Sequence, residues 1–192
     1  MRKFCISVSP AYSRFLTLSL WSLAFGLIPV FLFSGCGYST RSTLPSSIKT
    51  IHVEPFKNSI DFTTGLQRDV YLPLLEIKAR NAVIDRFLFD GSLKIAEAPV
   101  ADLILKGELV NYQRSALRYT DNDDVQEYRV QVAVSFELVD AKTGETSWQE
   151  PGFAGEADYF VSGPQASSED SAVDKAILDL ARRIVERTVE DW

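Results

Sequence analysis

The sequence predicts an α+β domain behind an apolar leader. Three observations carry that prediction. Over residues 128–140, Tyr128, Val130, Val132, Val134, Phe136 and Leu138 alternate with Arg129, Gln131, Ala133, Ser135 and Glu137. That period of two belongs to a half-buried antiparallel strand with one wet face. Near the end of the chain, Val173, Ala176, Ile177, Leu180, Ala181, Ile184 and Val185 recur at helical spacing, opposite Asp174, Lys175, Asp179, Arg182, Arg183 and Glu186. Such a stripe packs on a core and leaves a solvated side. Between them, residues 140–144 carry Asp140, Lys142, Thr143 and Gly144, a hairpin loop that returns the chain beside the clearest strand.

The leader occupies residues 1–35. Arg2, Lys3 and Arg14 are its only charges, and residues 15–33 are uncharged and rich in Leu, Phe, Ile, Val and Trp. That run is long enough to cross a bilayer as a helix. A positive start, an apolar middle and small residues at a cleavage point instead describe a signal peptide. Ser34, Gly35 and Cys36 favour the second reading over an uncleaved anchor with an incidental cysteine. Small side chains let the backbone enter a peptidase cleft, and a cysteine next in line offers a thiol for acylation. The segment resembles the lipobox of bacterial lipoproteins. Phe33 stands where that pattern usually has Leu, with Leu32 one place earlier. The resemblance makes Cys36 the lipidation site. Gly37, rather than Asp, after the cysteine implies an outer-membrane destination, held by acyl chains worth about 0.8 kcal/mol per buried CH₂.

Composition narrows the function. The chain of 192 residues is 46% hydrophobic and 24% charged, which suits one globular domain. Loss of the three leader bases would take the formal charge from −6 to −9. That balance argues against nonspecific nucleic-acid binding, which needs Lys and Arg to neutralise phosphates. Cys5 lies in the leader, so Cys36 is the mature chain's one cysteine, and His52 is the one histidine. No internal disulfide and no His/Cys metal cluster can be built from them. No cofactor is expected.

The remaining elements follow in order. Residues 36–47 read as the lipidated start and a Gly/Ser/Thr-rich tether with Pro45; residues 48–192 form the domain. Residues 50–56 read as a strand, with Ile51, Val53 and Phe56 inward, His52 on the opposite face, and Pro55 ending or kinking it. Thr64 and Gln67 make a capping pattern. Leu66, Val70, Leu74, Ile77, Val83, Ile84, Phe87 and Leu88 then mark a helix, with a kink or a second helix imposed by Pro73. Asp90 and Gly91 close it. Residues 93–95 form a short strand, 96–99 a turn, and 101–109 a strand that continues to about Tyr119. The acidic residues 121–124 turn the chain into the strand 128–140. Residues 145–148 begin the return, with 152–159 as its continuation beyond Pro151. Ser167 with Asp170 is a second capping pattern, before the final helix.

Little in this inventory does chemistry. There is no Gly-x-Ser-x-Gly elbow, no phosphate loop and no dinucleotide fingerprint. Asp123 and Asp124 sit in a polar turn, where solvated carboxylates are the ordinary case. Arg114, Arg118, Arg129 and Lys106 could together bind phosphates of a glycolipid through guanidinium forks. The favoured alternative is a solvated sheet face whose arginines pair with Glu108, Glu127 and Glu137.

The order of parts resembles a known family. The residues are Cys36-Gly37-Tyr38; the tether; the strand 48–56; the Thr-capped helix; Phe87-Leu88-Phe89-Asp90-Gly91-Ser92-Leu93-Lys94-Ile95; Ala101-Asp102-Leu103-Ile104-Leu105-Lys106-Gly107; Glu127-Tyr128-Arg129-Val130-Gln131-Val132; Asp140-Ala141-Lys142-Thr143-Gly144; and the terminal helix. As a set they resemble the LptE family of lipopolysaccharide-assembly lipoproteins. Pro73 and Gln67 depart from the family's usual first helix. The resemblance implies an α+β fold: two helices packed on one face of a small, mostly antiparallel, four- to five-stranded sheet. It implies a non-enzymatic plug within the large outer-membrane barrel LptD, assisting its assembly and lipopolysaccharide delivery to the outer leaflet. A periplasmic scaffold lipoprotein of a secretion or pilus-like assembly is the competing expectation.

Overall fold

The structure, a computed structural model, describes residues 44–61 and 72–190. The leader, Cys36 and the Thr64–Gln67 capping pattern lie outside them. The elements are β1 (Thr50–Val53), β2 (Lys57–Asn58), α1 (Leu75–Asp90), β3 (Lys94–Ile95), a 3₁₀ turn (Ala98–Val100), β4 (Leu103–Tyr119), β5 (Val125–Asp140), β6 (Thr146–Phe160) and α2 (Glu169–Glu190).

They build one mixed sheet of six strands in the order β3-β1-β4-β5-β6, with β2 also on β4. The mostly antiparallel sheet of four to five strands is therefore corrected. β1 runs parallel to both β3 and β4, and β2 runs parallel to β4; only β4, β5 and β6 form an antiparallel meander. Connectivity is the reason. The chain leaves β2, passes through α1 and re-enters at β3 on the edge next to β1. A strand reached through a helical crossover returns in its original direction.

The break between β1 and β2 follows from residues 54–56. Pro55 interrupts the edge, and Phe56 (5% exposed) turns inward with Ile51 and Val53. Phe56 lies against Gly107 of β4, where a Cβ would come within 2.6 Å of the ring. His52 faces away from the core as expected, its Nδ1 2.9 Å from the Ala96 carbonyl.

α1 begins two residues after Pro73. Leu74 precedes it in the left-handed region at φ 59°, a strained place for leucine, with no side-chain cap. The helix buries Leu75, Ala79, Ala82, Val83 and Phe87. The expected stripe is thus rotated: Val83 and Phe87 are inside, but Leu74, Ile77 and Leu88 are exposed. The small residues Ala79 and Ala82 take the buried seam because α2 packs closely there. Gly91 closes the helix at φ 76°, its N–H donating to the Phe87 carbonyl at 3.0 Å.

α2 buries the predicted stripe. Its cap is Ser168, one residue later than expected: the Ser168 Oγ accepts from the Ser171 N–H at 3.2 Å. Ser167 instead gives its N–H to the Phe160 carbonyl, tying the loop to the end of β6. β6 continues through Pro151 with a register shift, eased by Gly152 at φ 70°. Both helices lie on one face, with Ile51, Leu105, Leu109, Val132, Val134, Phe136 and Leu138 beneath them. Lys78–Asp174 (2.9 Å) and Arg86–Glu186 (3.8 Å) join helices that run in the same direction. Closest of all is the contact at Gly155 of β6, where a Cβ would lie 2.2 Å from the Ala176 carbonyl of α2.

Candidate functional site

The four cations singled out in the sequence do not converge. A register shift between Leu109 and Asn111 turns the following residues of β4 over, and a second between Ala116 and Arg118 turns them back. Arg114, between the two shifts, lies on the helix face. It pairs with Glu169 and sits 5.1 Å over the Tyr128 ring. Arg118 points to the other face, 3.5 Å from Glu127 and 5.8 Å over Phe160. Arg129 shares that open face, held by Asp158 at 2.8 Å and Glu156 at 3.3 Å. Lys106 also lies there, opposite Glu137, beside Lys57 and Glu108 at the β1–β2 break. Along β5, Glu137 and Arg129 are eight residues apart, roughly 26 Å. One phosphate cannot reach all four.

Cross-strand pairing holds two of the four, Arg118 with Glu127 and Arg129 with Asp158 and Glu156, whereas Arg114 pairs with an acid of α2. Of Glu108, Glu127 and Glu137, only Glu127 pairs with one of the arginines. Glu108 accepts from the Ser59 hydroxyl, and Glu137 accepts from Thr146 Oγ1 at 2.5 Å. The Arg129 guanidinium holds the Asp158 carboxyl below the usual range, and Asp158 in turn raises Arg129.

The open face is a ladder of polar residues. Gln113 stands opposite Gln131, Ser115 opposite Arg129, and Glu108 opposite Ser135. Gln131 donates to Glu156 at 2.9 Å. β4 spans 17 residues, about 50 Å at strand rise, whereas the 22 residues of α2 span about 33 Å. The β4–β5 hairpin therefore reaches beyond the helix layer, and Leu117 and Tyr119 are exposed on that extension. At its tip, the Thr120 hydroxyl accepts from the Asn122 and Asp124 N–H groups, and Asp123 takes φ 63°.

Two polar nodes went unnoticed in the sequence. At the first, Asp102 joins three segments. Its Oδ2 accepts from the Lys49 N–H (3.0 Å), the Thr50 N–H (3.2 Å) and the Thr50 hydroxyl (2.9 Å). Its Oδ1 meets Lys142 of the β5–β6 hairpin at 2.8 Å. Lys142, then these hydrogen bonds, hold its carboxyl far below the usual carboxylate range. At the second, Glu169 in the first turn of α2 gathers Tyr112 (2.5 Å), Tyr159 (3.3 Å) and Arg114. An acid there also suits the positive end of the helix. Burial first, and Glu169 second, raise the Tyr112 and Tyr159 hydroxyls. Burial works against the Arg114 charge, and Glu169 more than offsets it. The only sequence signal for Asp102 was an acid breaking an apolar strand start; Glu169 carried none beyond its place in a first turn.

Among the described residues, no group of His, Cys, Asp or Glu could hold a metal, and no helix is long and apolar enough to cross a membrane. What the open side of the sheet presents is a polar, charge-patterned face.

A family model described as LptE, lipopolysaccharide-assembly, matches residues 48–190. No curated protein matches the sequence significantly. The chain is similar in structure to protein XCC0632 from Xanthomonas campestris at 12% identity and TM-score 0.50, covering 78% of this chain and 91% of that one. Protein CT253 from Chlamydia trachomatis is similar at 13% identity and TM-score 0.48, covering 73% of this chain and 95% of that one. The rare lipoprotein B from Shewanella oneidensis is similar at 17% identity and TM-score 0.37, covering 71% and 92%.

Proposed function

The chain belongs to the LptE family of lipopolysaccharide-assembly proteins, and from that premise we propose that it is an outer-membrane lipoprotein plugging an LptD-type β-barrel. It is acylated on Cys36, assists the barrel's assembly, and takes part in delivering lipopolysaccharide to the outer leaflet. It performs no catalysis. The observation that carries this reading is the family match across residues 48–190.

Physical chemistry supports it. Large outer-membrane barrels have polar interiors. The open face of β4, β5 and β6 offers such a wall a run of amides, hydroxyls and paired charges rather than an apolar surface. The rigid blade would enter as a unit, so little conformational freedom is lost on insertion. Contact with glycolipid phosphate falls to Lys106, since Arg114, Arg118 and Arg129 are each paired with acids on the domain.

Depletion in the native bacterium tests the function. Surface-exposed lipopolysaccharide should fall as the protein is lost, and a wild-type copy supplied in trans should restore it. Unchanged surface lipopolysaccharide after full depletion would overturn the proposal.

A further inference from the structure

One group of exposed apolar residues lies where the tether enters the domain. The last turn of α1 carries Leu88 at 64% exposure and Phe89 at 81%. Both helices run against β1, so this turn sits at the end where β1 begins. The hydrogen bonds place it: Gly91 closes α1, and three residues on, the Lys94 N–H donates to the Lys49 carbonyl at 2.9 Å. Val100, 72% exposed, belongs to the same end; two residues later the Asp102 N–H meets the Thr50 carbonyl. The Arg86 guanidinium lies 5.3 Å from the Phe89 ring centroid and supports it.

Leu44, where the described chain starts, is eight steps along the chain from Cys36. That span reaches at most about 29 Å. An acyl group on Cys36 therefore keeps this corner within a few nanometres of the bilayer surface. The blade tip, at the far end of β4, points the other way. The charges around the corner are mixed: Lys49 and Lys94 against Asp85, Asp90 and Glu97. Apolar contact, rather than attraction to anionic headgroups, is what the surface offers. A polar barrel lumen is a poor match for it.

We propose that Leu88, Phe89 and Val100 form a second membrane contact, seating the tethered end of the domain in the headgroup region of the leaflet that holds the acyl chains. This rests on the reading of Cys36 as the lipidated residue. It fixes which end of the domain faces the bilayer, which a flexible tether alone would not do.

The test uses the full acylated chain, purified without a barrel partner and reconstituted into phosphatidylethanolamine–phosphatidylglycerol vesicles with brominated acyl chains. Flotation with the vesicles reads the anchor. An environment-sensitive fluorophore on Phe89→Cys reads the contact, and the same fluorophore on Asp121→Cys at the blade tip is the comparison. The position-89 probe should lose about half its emission to the brominated chains, as interfacial groups 5–10 Å deep do, with little change at position 121. A probe on Val100→Cys should be quenched too, and less so with Leu88→Ser and Phe89→Ser added. Flotation with equal, weak quenching at 89 and 121 would overturn the contact and leave the anchor standing. Failure to float would overturn both. A blue shift at position 89 that grows with protein concentration in detergent, without lipid quenching, would assign the corner to a second copy of the chain and overturn the proposal.

Discussion

Asp102, just before β4, and Gly107, in its first half, do two different jobs that an alternating strand pattern does not reveal. Gly107 is a place where a side chain would not fit: its missing Cβ is the space filled by the Phe56 ring. Gly107→Ala should destabilise the domain by about 1–3 kcal/mol, as overpacking does. The same change should cost less than half as much in a Phe56→Ala background, measured by chemical unfolding of all four combinations. Equal cost in both backgrounds would mean that the ring is not what the glycine accommodates. Asp102 acts through charge. Lys142 and the Lys49 and Thr50 donors lower its folded pKa below the unfolded value near 3.9. The folded chain thus binds that proton less readily than the unfolded one. Its contribution is full above the unfolded pKa and is lost as pH falls through the folded value. Asp102→Asn should lower Tm at neutral pH and flatten the decline of Tm on the acid side. An unchanged acid limb would show that Asp102 is not titrating against these partners.

At the scale of elements, the elements with one uncontested period were legible and the composite ones were not. β5 and α2 each bury one continuous hydrophobic face, so alternation and the 3.6-residue stripe identify what each buries. α1 packs against both the sheet and α2. Its seam uses Ala79 and Ala82, which carry little hydropathic signal, while Leu74, Ile77 and Leu88 face outward. The parallel half of the sheet was hidden for another reason. β2 and β3 are two residues each and have no period of their own, and their direction follows from the crossover rather than from any residue. The cations misled because register shifts at Val110 and at Leu117 put Lys106, Arg114 and Arg118 on alternating faces, and a periodic reading of β4 carries no marker for those extra residues. Caps can be tested singly. Ser168→Ala should cost about 1 kcal/mol, seen as a lower urea midpoint, and Ser167→Ala should cost clearly less. The reverse order would return the cap to Ser167.

At the scale of the whole molecule, the sheet divides the labour. One face is dry and carries both helices; Gly155 lets the α2 backbone lie directly on β6. The other is a polar ladder in which Arg118 and Arg129 are already paired with acids. The exposed edge of β6 is blunted from within: Arg183 donates to the Ala154 carbonyl, and the Glu156 N–H donates to Asp179 at 3.2 Å. An edge closed in this way does not invite sheet extension by other chains, which favours a face-on partner over strand exchange. The central claim is that this partner is a large barrel. The most direct measurement is isolation of the tagged full chain from gently solubilised membranes, with the mass and composition of the isolated particle determined. A one-to-one complex with a large outer-membrane β-barrel protein is the predicted result. Recovery of the chain alone, as a monomer or as a homo-oligomeric ring, would contradict it.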